Sequence, residues 1–228
     1  MSTNTGLSTL RHETLTSAGL PRRVRRVLEQ LLALLADDYA RDLERLLNEF
    51  EQELLRLAEQ ARNPALQSGY MDTLGRVRQH RGELVAQFLI GLESGLARIR
   101  DRDSAAGAGD DALPLGSGSL RLVDHHEVDE NSALRSIAVR HESRGSLQLL
   151  LLGQRFGVLA GTPAFDASAL PVGPLGICRV LAMATGSLQV NLDARLLLFR
   201  LFDRHLGVGY VPLLEAMNLL LIREGILP

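Results

Sequence analysis

Residues 24–61 read VRRVLEQLLALLADDYARDLERLLNEFEQELLRLAEQA. Apolar side chains recur at Val24, Leu28, Leu31, Leu35, Tyr39, Leu43, Leu46, Phe50, Leu54, Leu57 and Ala61, ten steps over 37 residues, or 3.7 residues per step. A straight α-helix repeats every ~3.6 residues and an eleven-residue pattern every ~3.67. The spacing therefore predicts one long helix with a single apolar stripe. Its other face carries Arg26, Glu29, Asp37, Arg41, Glu44 and Glu51. Asp37 with Arg41 and Arg45 with Glu49 add i,i+4 pairs. Pro21 suits the first turn, where its missing N–H is not needed. Asn63-Pro64 ends the pattern, because proline disfavours helical geometry in the residue before it.

Beyond Pro64 a second stripe runs through Leu66, Tyr70, Leu74, Val77, Leu84, Phe88, Leu92, Leu96 and Ile99, and Arg81 stands where an apolar residue is due. Gly91 and Gly95 lie four apart on one face, so a neighbouring helix could approach closely there. Each helix, at about 40 residues and ~1.5 Å per residue, spans roughly 60 Å. A compact chain of this length has a radius of gyration near ~17 Å. The expectation is a long antiparallel hairpin over residues 20–101, with an apolar edge covered by another subunit or by the rest of the chain. A homo-oligomer through residues 20–101 follows as the expected assembly.

On either side the character of the sequence changes. Residues 1–19 are rich in Ser and Thr without period and read as a disordered tail. Residues 102–119 are a Gly, Ser and Asp-rich flexible linker. Residues 120–228 read as a compact bundle of about five helices. The first starts at His125, where Asp124 and Glu127 make an acidic cap. Others cover about Ser146 to Leu159 and Pro174 to Gly186. Asn191 caps a fourth, and the fifth covers about Tyr210 to Glu224 before Gly225. No strand alternation competes, so the fold class is all-α.

Composition narrows the chemistry. All 25 basic residues are arginine. A chain without lysine has no Schiff-base, pyridoxal-phosphate or P-loop lysine. The single cysteine, Cys178, forms no intrachain disulfide and suits a reducing cytoplasm. It lies in an apolar stretch and reads as a buried, inert thiol. The N-terminus is too polar for a signal peptide. Continuous apolar runs such as Leu149–Leu152 are far shorter than the ~20 residues of a membrane span. A cytoplasmic, soluble protein is expected. The net charge of −2 argues against a polyanion as main partner.

Few residues stand out as a site. Asp124, His125, His126, Glu127, Asp129 and Glu130 form the densest polar cluster. Within it His126 and Glu130, four apart, are the weak metal-ligand candidates, although no His-x-x-x-His spacing accompanies them. An acidic, capped helix N-terminus, which the macrodipole favours, is the better explanation of the cluster. Arg22, Arg23, Arg25 and Arg26 form one basic patch, and Arg76, Arg78 and Arg81 a second. Either could meet phosphate or an acidic partner, yet no aromatics interleave them. Asn218 reads as a buried polar group registering a helix contact. No nucleophile elbow is present.

Several blocks resemble a known family. PRRVRRVLEQLL (21–32), SGYMDTLGRVRQHRGELVAQFL (68–89), LRLVDHHEVDE (120–130), GQRF (153–156), PVGPLGICRVL (171–181), LFRLFDRHL (198–206) and LLEAMNLLLIREGILP (213–228) are similar, in order, to the proteobacterial domain of unknown function 1631. The likeness covers residues 20–228 and contains no catalytic motif. It implies a short member or the N-terminal region of longer proteins. In those, a β-rich C-terminal part suggests signalling, with cyclic dinucleotides as the link. The thymidine phosphorylase activity attached to some relatives needs a lysine-containing phosphate motif that is absent here.

The expected function is a non-enzymatic helical interaction or scaffold module, part of a bacterial signalling protein, with an unknown protein partner and no cofactor. The alternatives are a nucleoside or phosphoryl-transfer enzyme, and a nucleic-acid-binding protein acting through the Arg patches.

Overall fold

The computed structural model describes residues 13–100 and 125–227, and of residues 125–128 the backbone alone. Among the described residues there are six α-helices and no strand: α1 (Arg22–Gln60), α2 (Pro64–Ala97), α3 (His125–Arg144), α4 (Ser146–Ala160), α5 (Pro174–Thr185) and α6 (Leu192–Arg223). The protein is all-α.

The stripe of α1 is buried at Leu28, Leu31, Leu35, Tyr39, Leu43, Leu46, Phe50 and Leu54. Val27, Leu47 and Ala58 are buried as well, while Val24, Leu57 and Ala61 at the ends of the stripe are half-buried. Asn63 caps α2 by accepting from the Ala65 amide at 2.9 Å, and Pro64 takes the first helical position. The two helices run antiparallel. Tyr39 meets Phe88 with ring centroids 5.1 Å apart. Farther along, Glu51 receives Arg78 at 2.9 Å and Arg81 at 3.1 Å.

The cover that the hairpin stripe requires comes from the same chain. Helix α5 packs antiparallel along α2, and α6 packs antiparallel along α1. The α1–α6 register is read from Arg26 with Glu224, Asp42 with Gly209, and Glu49 with Arg204 and His205. Gly91 is the close approach between α2 and α5: a Cβ there would sit 2.7 Å from Cγ1 of Val180. The residues of the hairpin region 20–101 and of the bundle region 120–228 that are described share one apolar core.

Part of the segment expected as a disordered tail belongs to that core. Leu15 is buried, and its amide donates to Glu93 at 3.1 Å. Leu15 and Leu20, with Glu13 paired to Arg98 at 3.4 Å, hold residues 13–20 against the core, and these long-range contacts leave no periodic trace. Residues 1–12 and the linker 102–119 lie outside the described residues.

Four helices, not five, are described in the bundle. The two expected after Asn191 are one continuous helix, α6, with Pro212 inside it. Proline removes one backbone hydrogen bond and costs ~3 kcal/mol in a helix interior. Here Leu206, Tyr210, Leu213 and Leu214 are all buried around the proline, and that burial outweighs the local defect. At its end Gly225, with φ 71°, accommodates the left-handed turn, and the Ile226 amide returns to the Leu221 carbonyl at 2.9 Å. This is the expected glycine stop.

Two stretches, Ala167–Leu188 and Leu192–Arg223, have the length and hydropathy of a membrane span by composition. Both contribute to the core, through Ile177 and Leu181 of α5 and Leu198, Phe199 and Leu214 of α6.

Candidate functional site

Two places gather unusual side chains. The first is a groove of about 580 Å³ between α1 and α6, lined by charged side chains and by apolar ones such as Leu34, Val208 and Pro212. The antiparallel register brings Asp38, Asp42, Arg45 and Glu49 from α1 opposite Arg204 and His205 from α6. Glu49 accepts from Arg204 and lies 2.9 Å from Nε2 of His205. Asp42 accepts from Arg45 at 3.3 Å. Burial, with Asp42 beside it, raises the Asp38 carboxyl above its usual range against the pull of Arg41 and Arg45. Burial lowers the pKa of His205, with Asp42 opposing. Beneath the groove the Tyr39 hydroxyl is buried without a hydrogen-bond partner, and desolvation pushes its phenol well up. The groove thus holds acids and bases paired mainly with one another. Among its lining residues there is no Ser, Thr, Cys or Lys to serve as a nucleophile.

Elsewhere the polar side chains of the core act as clamps. His141, buried on α3, and Arg140 both bond Asp203 of α6. Tyr210 donates to the Val172 carbonyl at 3.0 Å. Burial pushes the Cys178 thiol up to about 12, so the nucleophilic thiolate is not available.

The residues singled out in the sequence are dispersed. Arg23 and Arg26 bind the end of α6, at the Glu224 carbonyl (3.2 Å) and carboxylate (2.9 Å). Arg25 pairs with Glu29 at 3.6 Å, and Arg22 is exposed. Arg76 donates to the carbonyl of Gln189, which takes a left-handed conformation at φ 51°. Arg78 and Arg81 converge on Glu51, and Arg81 also reaches Glu44 and Asn48. The break that Arg81 makes in the α2 stripe is thus an ion-pair clamp across the hairpin. Glu130 pairs with Arg195 at 2.8 Å. The side chain of His126 lies outside the described residues, and no group of three metal-binding side chains occurs among those described.

The second place went unmarked in the sequence. Helix α4 buries one side against the loop after it: a Cβ on Gly157 would come within 2.9 Å of the Pro163 carbonyl. Its opposite side turns Leu147, Leu150 and Val158 outward, 60%, 59% and 51% exposed. Across the seam α6 adds Leu219 at 54% and Ile222 at 37%. At the base of the seam Asn218 donates to the carbonyls of Gln148 and Leu214, each at 3.0 Å, and accepts from Arg155 at 2.7 Å. The expected reading of Asn218 as a helix-registering polar group fits these bonds.

No curated protein and no solved structure matches the chain. The family model described as the N-terminal domain of a protein of unknown function (DUF1631) matches residues 23–225. With nearly the whole chain covered, this protein belongs to the DUF1631 N-terminal domain family.

Proposed function

We propose that this chain is a non-enzymatic interaction module that presents the outer face of α4 and the end of α6 to a protein partner. The observation that carries the reading is the exposure of Leu147, Leu150, Val158, Leu219 and Ile222 on adjoining helices, while the stripes of α1 from Leu28 to Leu54 and of α2 from Leu74 to Leu96 are buried and Leu66 at the start of α2 stands out alone. Apolar faces on neighbouring helices mark interaction sites more often than scattered single residues do. The α1–α6 groove supports the same reading from the other side, since its charged groups are paired internally. Self-association through residues 20–101 would have to use the polar outer faces of α1 and α2. Their apolar edge is already covered by α5 and α6.

The test is site-specific photo-crosslinking in cells, with the reactive residue at Leu150 or, as control, at exposed Glu59. A discrete adduct from position 150 that Leu219→Glu abolishes is the expected result. Equal labelling from both positions, or insensitivity to Leu219→Glu, would sink the reading.

A further inference from the structure

Arg155 is 6% exposed, in the middle of α4. A guanidinium carries five N–H donors and keeps its charge at any physiological pH. Here Nη1 donates to Oδ1 of Asn218 at 2.7 Å, while Nε is buried without an acceptor. Asn218 brings a neutral amide, and both of its amide hydrogens go to backbone carbonyls. Among the described residues Arg155 has no ion-pair partner, its one side-chain bond being that to Asn218. Glu215, one turn before Asn218, instead faces Gln148, 3.5 Å away. A buried cation without a counter-charge is destabilising. The bond to Asn218 accounts for one donor, but the described residues give no reason for the charge.

Its place in the seam supplies one. Leu151 lies one turn before Arg155 on α4, and Ile222 lies one turn after Asn218 on α6. The cation sits at the base of the apolar face described above. A free anion would answer the charge and leave Leu147, Leu150 and Leu219 uncovered. An amphipathic helix answers both, since its apolar residues cover the leucines while one carboxylate reaches Arg155.

We infer that the α4–α6 face receives an amphipathic helix of a partner protein carrying an Asp or Glu within its apolar side, and that Arg155 selects for that carboxylate. The inference rests on the interaction reading above and adds the chemistry of the partner.

The test uses the full chain and two synthetic amphipathic peptides about five turns long. They are identical except for one central Glu or Gln on the apolar side, and binding is read by fluorescence anisotropy. The Glu peptide is expected to bind the natural chain at least about tenfold more tightly than the Gln peptide, the size of a hydrogen-bonded charge contact. Arg155→Met should erase that difference while keeping its helicity, with a melting temperature lowered somewhat by the acceptor left open at Asn218. Leu150→Glu should weaken both peptides. Arg155→Lys keeps the charge and provides a second folded variant, which should retain part of the preference.

Equal binding of the Glu and Gln peptides overturns the role of Arg155 and leaves the apolar interaction face standing. Binding of neither peptide overturns the helical occupant, while the crosslinking result decides the face itself. A dimer in light scattering that Leu150→Glu dissolves makes a second copy the occupant and overturns the inference. So does inorganic phosphate that competes fully with the Glu peptide.

Discussion

His141 of α3 meets Asp203 of α6 with 2.7 Å between Nε2 and Oδ1, and the preceding residue, Arg140, closes on the other carboxylate oxygen. One carboxylate thus fastens two consecutive side chains and fixes α3 against α6. Asp203→Ala leaves the imidazole buried, 2% exposed, without its partner. The expected loss is about 2–3 kcal/mol, read as a lower midpoint in urea unfolding. Asp203→Asn, which keeps an acceptor, should lose less. Equal losses for the two variants would show that charge and not hydrogen bonding dominates the clamp.

The glycines of α2 divide into two groups with opposite expectations. A Cβ at Gly91 meets Val180 at 2.7 Å, whereas one at Gly75 or Gly82 meets nothing within 4 Å. Gly91→Ala is expected to cost about 1–3 kcal/mol through overpacking, and Val180→Ala in the same chain should recover most of it. Gly75→Ala and Gly82→Ala should each stabilise by about 0.5–1 kcal/mol, the helix-propensity difference. Thermal melts of the four variants decide the matter, and a stabilising Gly91→Ala would remove the close α2–α5 contact.

Asp38 gives the chain an acid-side signature. Its folded pKa lies above the ordinary value of 3.8, through burial and the neighbouring Asp42. The folded state therefore binds its proton more tightly than the unfolded state does. The group costs nothing below the unfolded value, and its penalty builds as pH rises past that value and is complete once pH has passed the folded one. Asp38→Asn should stabilise the protein at pH 7 by a few tenths of a kcal/mol, the side chain being partly solvated. The gain should vanish at pH 3. Urea midpoints of the two chains at both pH values give the comparison, and a destabilised Asn variant at pH 7 would contradict it.

Cys178, its thiol pushed up to about 12 and its side chain buried, should resist an aromatic disulfide reagent at pH 8. Labelling is expected to follow global unfolding, rising with urea along the helicity loss. Rapid labelling of the native chain would mean that α5 opens locally.

Removal of residues 105–228 uncovers the α1–α2 stripe along its whole length. The remaining chain, 1–104, should form oligomers or aggregates in light scattering, because Leu28, Leu35, Leu43 and Phe50 lose the cover of α6. A monomeric, helical 1–104 would mean that the hairpin is stable without the rest of the core.

The long helices were legible because their stripes are strictly periodic, and eight positions of α1 are buried as the spacing requires. What failed was local punctuation overridden at long range. Gly207, Gly209 and Pro212 signal a helix break, yet Gly209 lies close to Asp42 and Tyr210 is locked onto the Val172 carbonyl, so the helix continues. The Arg patches were visible as charge, but their pairing with Glu51 and Glu224 depends on residues up to 201 positions away. Arg155 looks like any solvated arginine in its tetrapeptide. The usable signal was its position, with Leu151, Leu152, Phe156 and Leu159 around it on a helix of mostly apolar residues.

The antiparallel seat of α6 along α1 has a consequence for synthesis. Of the six helices described, the one made earliest is completed by the one made latest. At ~5–20 residues per second, the roughly 120 residues between the hairpin and the end of α6 take about 6–25 s to make. Throughout that interval the leucine stripe of α1 has no permanent neighbour on its α6 side, although α2 is already in place. Until α6 has been made, the hairpin therefore carries an exposed leucine stripe of the kind that chaperones hold.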